Sequence, residues 1–137
     1  MPKVAKARKT QQWIQNVLEN AKTQNIAVLD VRKISDFTDY MVIATGTSNR
    51  HVQSSADKVM ETLRDHGVRR VGIEGKRLGD WVLIDFGDVV VHIMREQTRD
   101  FYNLEKLWSD AKRIEAGENR ETVRKPRATR KKKTAKK

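Results

Sequence analysis

Residues 81–94 read WVLIDFGDVVVHIM, which is two apolar, β-branched runs on either side of a Gly-Asp pair. This pattern predicts strands at Trp81–Phe86 and Val89–Met94, joined as a hairpin by a tight turn at Gly87-Asp88. An isolated hairpin is marginally stable in water, so these strands need further strands or helices to pack against. The surrounding sequence supplies both.

Three further segments predict strands of the same sheet. Tyr40–Thr45 (YMVIAT) is apolar on both faces, which is typical of a strand at the centre of a sheet. Ile26–Lys33 (IAVLDVRK) is a second strand, separated from it by turn-forming residues at Ser35–Asp39, and Val68–Glu74 is a weaker third. A flexible loop, Gly75–Asp80, leads from the weak strand into the hairpin.

Three segments have apolar residues at the spacing of an amphipathic helix. The first spans Thr10 to Gln24 and has an apolar stripe of Trp13, Val17, Leu18 and Ala21. The second is capped by Ser48 or Asn49, ends at His66 before Gly67, and has a stripe of Val52, Ala56, Val59, Met60 and Leu63. The third is capped by Thr98 and has a stripe of Phe101, Leu104, Leu107, Trp108 and Ala111. The predicted fold is therefore α/β (α+β), a mixed β-sheet covered by helices in the order α-β-β-α-β-β-β-α.

The length of 137 residues allows one compact domain with tails. Hydrophobic residues make up 37% and charged residues 34%, so part of the chain lies outside any core. We expect a basic N-terminal arm at residues 1–9, a folded domain at 10–116, and a disordered basic tail at 117–137.

The net charge of +11 is concentrated at the two ends of the chain. Residues 10–121 carry a net charge of −2, and residues 122–137 carry +9 with no acidic residue. The basic residues of this tail are Arg124, Lys125, Arg127, Arg130, Lys131, Lys132, Lys133, Lys136 and Lys137. Their density favours contact with RNA over a role in solubility alone.

Several classes of protein and site are excluded. The chain has no cysteine, which rules out disulfides, thiolate metal sites and cysteine nucleophiles. No apolar run is long enough to span a membrane, and Met1 to Thr10 lacks the apolar segment of a signal peptide. That segment is basic and acid-free, as organelle transit peptides are, but it is short and has one Arg. A soluble, cytoplasmic protein is the expectation.

Catalytic motifs are weak or missing. The turn at Thr45–Asn49 precedes a helix and could hold an anion, but a turn with a helix N-cap explains it better. Asp80, Asp85 and Asp88 flank the hairpin, yet strand alternation separates them and disfavours a metal site. The three histidines, His51, His66 and His92, have no spacing typical of metal ligands, so no cofactor or metal is predicted.

Trp81 opens a strand next to Asp80, where its indole is either a partly exposed anchor for a partner or an ordinary core residue. Glu74, Asp80, Asp85 and Asp88 would form an acidic rim around it. A slightly acidic domain with such a rim suits a basic protein partner, because complementary charge steers encounter.

Three stretches of the sequence resemble one known family. They are DVRKISDFTDYMVIATGTSNRHVQSSADKV at 30–59, IEGKRLGDWVLIDFGDVVVHIM at 73–94 and FYNLEKLW at 101–108. Their motifs, in the same order and at close spacing, resemble the ribosomal silencing factor family, RsfS or Iojap, over roughly Thr10 to Ser109.

The resemblance implies a non-enzymatic factor that binds the large ribosomal subunit through its ribosomal protein fourteen and blocks joining of the small subunit. Such a factor represses translation when nutrients are short, and roles in subunit biogenesis and self-association as a homodimer are further implications. The implied partner surface is the strand that begins at Asp80-Trp81, including Leu83, with its hairpin neighbour. The basic tail extends past the usual family ending, so we expect ribosomal RNA as its partner on charge alone.

The resemblance also implies a topology related to nucleotidyltransferases. A working site of that kind needs a Gly-Ser turn followed closely by a strand with paired acids. Here Gly46 to Ser48 precede a helix that carries a lone Asp57, so no catalytic residue is predicted. A residual nucleotidyl- or phosphoryl-transfer enzyme is the alternative.

Overall fold

The computed structural model describes residues 3–108 and 112–114, which form one six-stranded sheet with helices on both faces. The helices are α1 (Lys3–Asn20), α2 (Asn49–Asp65), α3 (Glu96–Tyr102) and α4 (Leu104–Leu107). The strands are β1 (Gln24–Asp30), β2 (Tyr40–Gly46), β3 (Gly72–Glu74), β4 (Trp81–Asp85), β5 (Val89–Arg95) and β6 (Lys112–Ile114). The strand order is β3-β4-β5-β2-β1-β6, in which β2 and β5 are parallel and the other neighbours are antiparallel. The predicted mixed sheet covered by helices is confirmed.

The larger part of the core lies between the sheet and the pair α1 and α2. Ile14 and Leu18 of α1 and Val59 and Leu63 of α2 are fully buried in this cluster. Alternate residues of the strands point toward it because successive side chains of a strand point to opposite faces. On the sheet these residues include Val28, Val42, Ala44, Val82, Ile84, Val91 and Ile93.

The opposite face of the sheet is covered less completely. Its buried apolar residues are Ala27, Leu29, Val31, Met41, Ile43 and Met94. Among the described residues, the partly buried side chains of Trp81, Leu104 and Trp108 pack against this second cluster. This face therefore carries apolar surface that the short helices α3 and α4 only partly cover.

The prediction that β2 lies at the sheet centre is confirmed. All of its residues are buried, and it pairs with β1 on one side and β5 on the other. The hairpin is confirmed as well, since β4 and β5 are antiparallel and the amide of Phe86 donates to the carbonyl of Val89 at 2.9 Å. Gly87 has a φ of +87°, a conformation that favours glycine in such turns.

The predicted second helix is close to the observed α2. The Ser48 side chain accepts a hydrogen bond from the amide of His51 at 3.0 Å, which identifies Ser48 as the N-cap. Gly67 follows the helix with a φ of +81°, as expected for a residue that ends a helix.

The first helix begins earlier than predicted. It starts at Lys3 instead of Thr10, and Ala7 and Gln11 are fully buried on its inner face. The sequence does not reveal this part of the helix because basic residues interrupt the apolar stripe around Ala7. Two of them, Lys6 and Lys9, are exposed to solvent. The helix also stops at Asn20 and not at Gln24, since Lys22 adopts a left-handed φ of +67°.

The predicted single C-terminal helix is wrong. Asn103 takes a left-handed φ of +47° and divides the segment into α3 and α4, and its side chain caps α4 by accepting from the amide of Lys106. Arg95 precedes α3 in place of the predicted cap Thr98. Phe101 and Leu107, which were expected to face the core, are 81% and 74% exposed.

Two strand predictions also need correction. Only Gly72–Glu74 of the predicted strand Val68–Glu74 is extended and paired, so β3 is a short edge strand. The strand β6 had not been predicted, and it pairs antiparallel with β1 at the other edge.

Candidate partner-binding face

Four of the six predicted partner-binding residues belong to one face of the sheet. Trp81, Leu83 and Asp85 alternate along β4 with Val82 and Ile84, which are buried on the α1 and α2 side. The register places Glu74 opposite Leu83, and therefore on the same face. This face is the one that α3 and α4 only partly cover.

Trp81 is held in place by a buried neighbour. Its indole Nε1 donates a hydrogen bond to Nδ1 of His92 at 2.9 Å. His92 lies opposite Leu83 in the adjacent strand, two residues before Met94, the partner of Trp81. Trp81 itself is partly buried. Trp81 is thus not a fully buried core residue, because part of its ring remains accessible to a partner. Its indole N–H is not available to that partner, because it is bonded to His92.

Two exposed aromatic residues extend this surface. The ring of Tyr102 lies 4.8 Å from that of Trp81, and the ring of Phe101 stands edge-on to Tyr102 at 5.0 Å. Tyr102 is 54% exposed and Phe101 is 81% exposed. We call Trp81, Tyr102 and Phe101 the aromatic cluster. Exposed and contiguous rings of this kind are typical of protein interfaces.

Neither Phe101 nor Tyr102 is among the predicted site residues, because Phe101 belongs to the predicted core-facing stripe and no role is predicted for Tyr102. The signal that could have found them is Asn103, a residue type that tolerates left-handed backbone and ends helices. A buried arginine fixes the helix that carries them. Arg99 donates to Oγ1 of Thr45 at 2.8 Å and pairs with Glu105 at 3.0 Å, so α3 is tied to the end of the central strand.

The acidic residues are not gathered into one rim. Asp80 accepts from the amide side chain of Asn49 at 3.0 Å, and its carbonyl accepts from the amide of Arg95 at 2.9 Å. Asn49 also contacts the guanidinium of Arg95, so this network joins α2 to both hairpin strands. Asp85 accepts from the amide of Gly87 at 2.8 Å and shapes the turn.

Asp88 lies in the hairpin turn, at the end of β4 opposite to Asp80. Its carbonyl accepts from the amides of Asp39 and Tyr40 at 2.9 and 3.1 Å. The structure therefore brings together Glu74, Trp81, Leu83 and Asp85, and it separates Asp80 and Asp88 from one another.

The turn at Thr45–Asn49 is built as a helix cap. The amide of Thr47 donates to Nδ1 of His51 at 2.9 Å, and Nε2 of the same ring donates to the carbonyl of Ala21 at 2.7 Å. His51 therefore joins this turn to the end of α1, while His66 stacks on Trp13 at 4.1 Å. These contacts indicate that both histidines stabilise the fold.

No group of three or more His, Asp or Glu side chains is arranged to hold a metal ion within residues 3–108 and 112–114. Within the same residues, no helix is both long and apolar enough to cross a membrane. The predicted basic tail lies outside the described residues.

Burial holds His92 in its neutral form, in which Nδ1 accepts from Trp81. Desolvation lowers its pKa from 6.5 to about 4. Between these two values the unfolded chain binds a proton that the folded chain does not bind, so stability falls as the pH falls.

We expect acid to unfold the protein partly through His92. Lowering the pH from 7 to 4.5 should reduce the free energy of unfolding with a slope of up to about 1.4 kcal/mol per pH unit from this group. Denaturant titration of wild type and His92→Gln across this range measures the contribution, because glutamine does not titrate. An identical pH dependence in the two proteins would contradict it.

Comparison with known proteins identifies the relatives of this chain. The family model described as "Ribosomal silencing factor during starvation" matches residues 4–137. Ribosomal silencing factor RsfS of Chromobacterium violaceum is 45% identical over 69% of this chain and 78% of that protein. Mitochondrial assembly of ribosomal large subunit protein 1 of Mus musculus is 38% identical over 69% of this chain and 42% of that protein. A crystal structure of a Chromobacterium violaceum protein superposes with a TM-score of 0.73 at 42% identity, covering 74% of this chain and 84% of that one. On these matches, together with the fold, the chain belongs to the ribosomal silencing factor family.

Proposed function

We propose that this protein represses translation under nutrient limitation by binding the large ribosomal subunit through ribosomal protein fourteen of that subunit. The bound protein blocks joining of the small subunit and acts without catalysis. Family membership supports the ribosomal role, and the mouse relative is named for assembly of a ribosomal large subunit.

The observation that carries the proposed binding surface is the aromatic cluster. Trp81 is oriented by His92, flanked by Tyr102 and continuous with the exposed ring of Phe101. Interfaces draw much of their binding energy from such aromatic anchors when a partner excludes water from them. Leu83 and Glu74 lie on the same face and supply an apolar contact and a negative charge for a basic ribosomal protein.

The alternative of a nucleotidyl- or phosphoryl-transfer enzyme gains no support from the described residues. A phosphate-binding turn needs free amides, and the amide of Thr47 and the amide of His51 are both taken by hydrogen bonds inside the cap. The turn is followed by α2, in which Asp57 pairs with Lys76 at 2.7 Å.

Sedimentation in sucrose gradients tests the proposed function. The full chain should comigrate with purified large subunits and should be absent from small subunits and from joined ribosomes. Adding the full chain to a mixture of the two subunits should reduce the fraction of joined ribosomes. Purified ribosomal protein fourteen should compete with the large subunit for binding to the chain. Binding to large subunits without any effect on joining would contradict the proposed mechanism.

A second copy of the chain could occupy the same aromatic cluster, which would make the proposed homodimer and the ribosome-bound form mutually exclusive. A cytoplasmic location remains a prediction from the sequence.

Contact between the basic tail and ribosomal RNA also remains a prediction. Neutralising about half of its nine charges on RNA should steepen the dependence of log affinity on log salt by roughly 3–4, relative to a chain truncated after Glu121. Large-subunit affinities of the two chains at several potassium concentrations measure this difference. Equal slopes would show that the tail makes no phosphate contact.

A further inference from the structure

A groove on the α2 side of the molecule is not used by the proposed function. It has a volume of about 340 Å³ and is lined by Met60, Arg64, Val68, Arg69, Arg70 and Phe86. A mixed-charge groove of about 520 Å³ adjoins it and shares Met60, Arg64 and Arg70. Met60 and Arg64 come from α2, whereas Val68, Arg69 and Arg70 come from the segment between α2 and β3, and Phe86 directly follows β4.

Three arginines line this groove, and the nearby acidic residues Asp57 and Glu61 line the adjoining one. Arg64, Arg69 and Arg70 are exposed, and none has an ion pair in the described part of the chain. Two cations elsewhere are paired, Lys76 with Asp57 and Arg99 with Glu105. Three like charges around one concavity repel each other, and an anionic ligand would relieve that repulsion.

The floor of the groove adds an apolar component. Met60 and Val68 are partly buried and pack on the core, and Phe86 is 8% exposed. Nη1 of Arg70 donates a hydrogen bond to the Met60 sulfur at 3.5 Å, which holds the guanidinium beside this apolar floor. The guanidinium groups of the arginines can each bind a phosphate through two parallel hydrogen bonds, and the apolar floor can contact unstacked bases. The groove therefore matches a single-stranded phosphodiester chain.

The groove and the aromatic cluster lie on opposite faces of the sheet. Phe86 and α2 belong to the α1 and α2 side, whereas Trp81 and Tyr102 lie on the other. Both surfaces can therefore be occupied at once by two different partners.

We propose that the groove lined by Arg64, Arg69 and Arg70 binds the backbone of single-stranded RNA. The choice of RNA over another anion rests in part on the proposed function, because a ribosomal subunit presents RNA next to its proteins. The groove adds a second contact, independent of the predicted tail, on the side of the molecule away from ribosomal protein fourteen.

The test uses the full chain and a short fluorescent oligouridylate, so it does not depend on ribosome binding. Arg64→Gln/Arg69→Gln/Arg70→Gln should reduce the slope of log affinity against log salt by roughly 2, at about 0.7 for each phosphate on a single strand. A matched triple variant, Lys33→Gln/Arg50→Gln/Arg77→Gln, removes the same charge from exposed positions outside the groove and should leave the slope nearly unchanged. Glutamine retains much of each side-chain stem, and equal melting temperatures establish that all three proteins are folded.

Equal slopes for the two triple variants would overturn the proposal, because net charge alone would then explain the binding. Unchanged RNA binding by the groove variant, combined with loss of large-subunit binding, would also overturn it and assign the groove to an acidic protein segment. Loss of oligouridylate binding with normal sedimentation on large subunits would support the RNA site, while leaving the function of the aromatic cluster intact.

Discussion

Trp81→Ala should weaken binding to the large subunit by about 2–4 kcal/mol, which is a loss of roughly 30-fold to 1,000-fold in affinity. The ring of Trp81 is the partly buried end of the aromatic cluster, and its removal also leaves Tyr102 without its neighbour at 4.8 Å. Quantitative sedimentation or surface-based binding with purified large subunits measures the change. Affinity equal to that of wild type, in a variant that is folded, would remove Trp81 from the interface.

Trp13→Ala is the matched control for this experiment. Trp13 is also partly buried, but it lies on α1 and stacks on His66, on the other side of the sheet. Its loss should lower the melting temperature without changing large-subunit affinity. If both tryptophan variants lost affinity equally, the effect of Trp81→Ala would reflect general destabilisation of the fold.

Gly75→Ala should destabilise the fold by about 2–5 kcal/mol, the sum of left-handed backbone strain and steric overlap. Gly75 has a φ of +81°, and a Cβ at this position would lie 1.9 Å from the carbonyl oxygen of Trp81. The start of β4 would have to move, which would displace Trp81 from His92. We therefore expect lower thermal stability together with weaker large-subunit binding.

Gly67→Ala separates the effect of backbone strain from the effect of steric overlap. Gly67 has the same φ of +81°, but a Cβ there meets no atom within 4 Å. This variant should cost only the backbone term of about 1–2 kcal/mol and should retain full affinity. Thermal and denaturant unfolding of both proteins provides the comparison, and equal losses in the two variants would contradict a close-contact role for Gly75.

The sheet could be predicted from sequence because its signals are local. The hairpin turn, the doubly apolar β2 and the capping serine of α2 each specify structure within a few residues. Trp81 was identified as a candidate for the same reason, since its place at the start of a strand next to a loop is visible in the sequence.

The remainder of the site depends on contacts between distant segments. Nothing near Arg99 in the sequence indicates that it reaches Thr45, and without that contact α3 would not hold Tyr102 against Trp81. Asp80 and Asp85 belong to the predicted acidic rim because they flank the hairpin beside Trp81. In the structure they accept hydrogen bonds from Asn49 and Gly87 instead and shape the hairpin. The helix break at Asn103 was missed because helical spacing of apolar residues continues across it.

The parallel pairing of β2 with β5 has a consequence for how the chain folds during synthesis. Tyr40 to Gly46 of β2 pair with Val89 to Arg95 of β5, so the central strand obtains one of its two neighbours only from much later sequence. A nascent chain that ends before Val89 contains the residues of α1, β1, β2, α2, β3 and β4, but it lacks the strand that pairs with the second hydrogen-bonding edge of β2. Non-local pairing of this kind slows folding, because the loop between the strands must close before its contacts form. The native fold is therefore completed after the hairpin has left the ribosome, and until then the edge of β2 is exposed to aggregation and to chaperones.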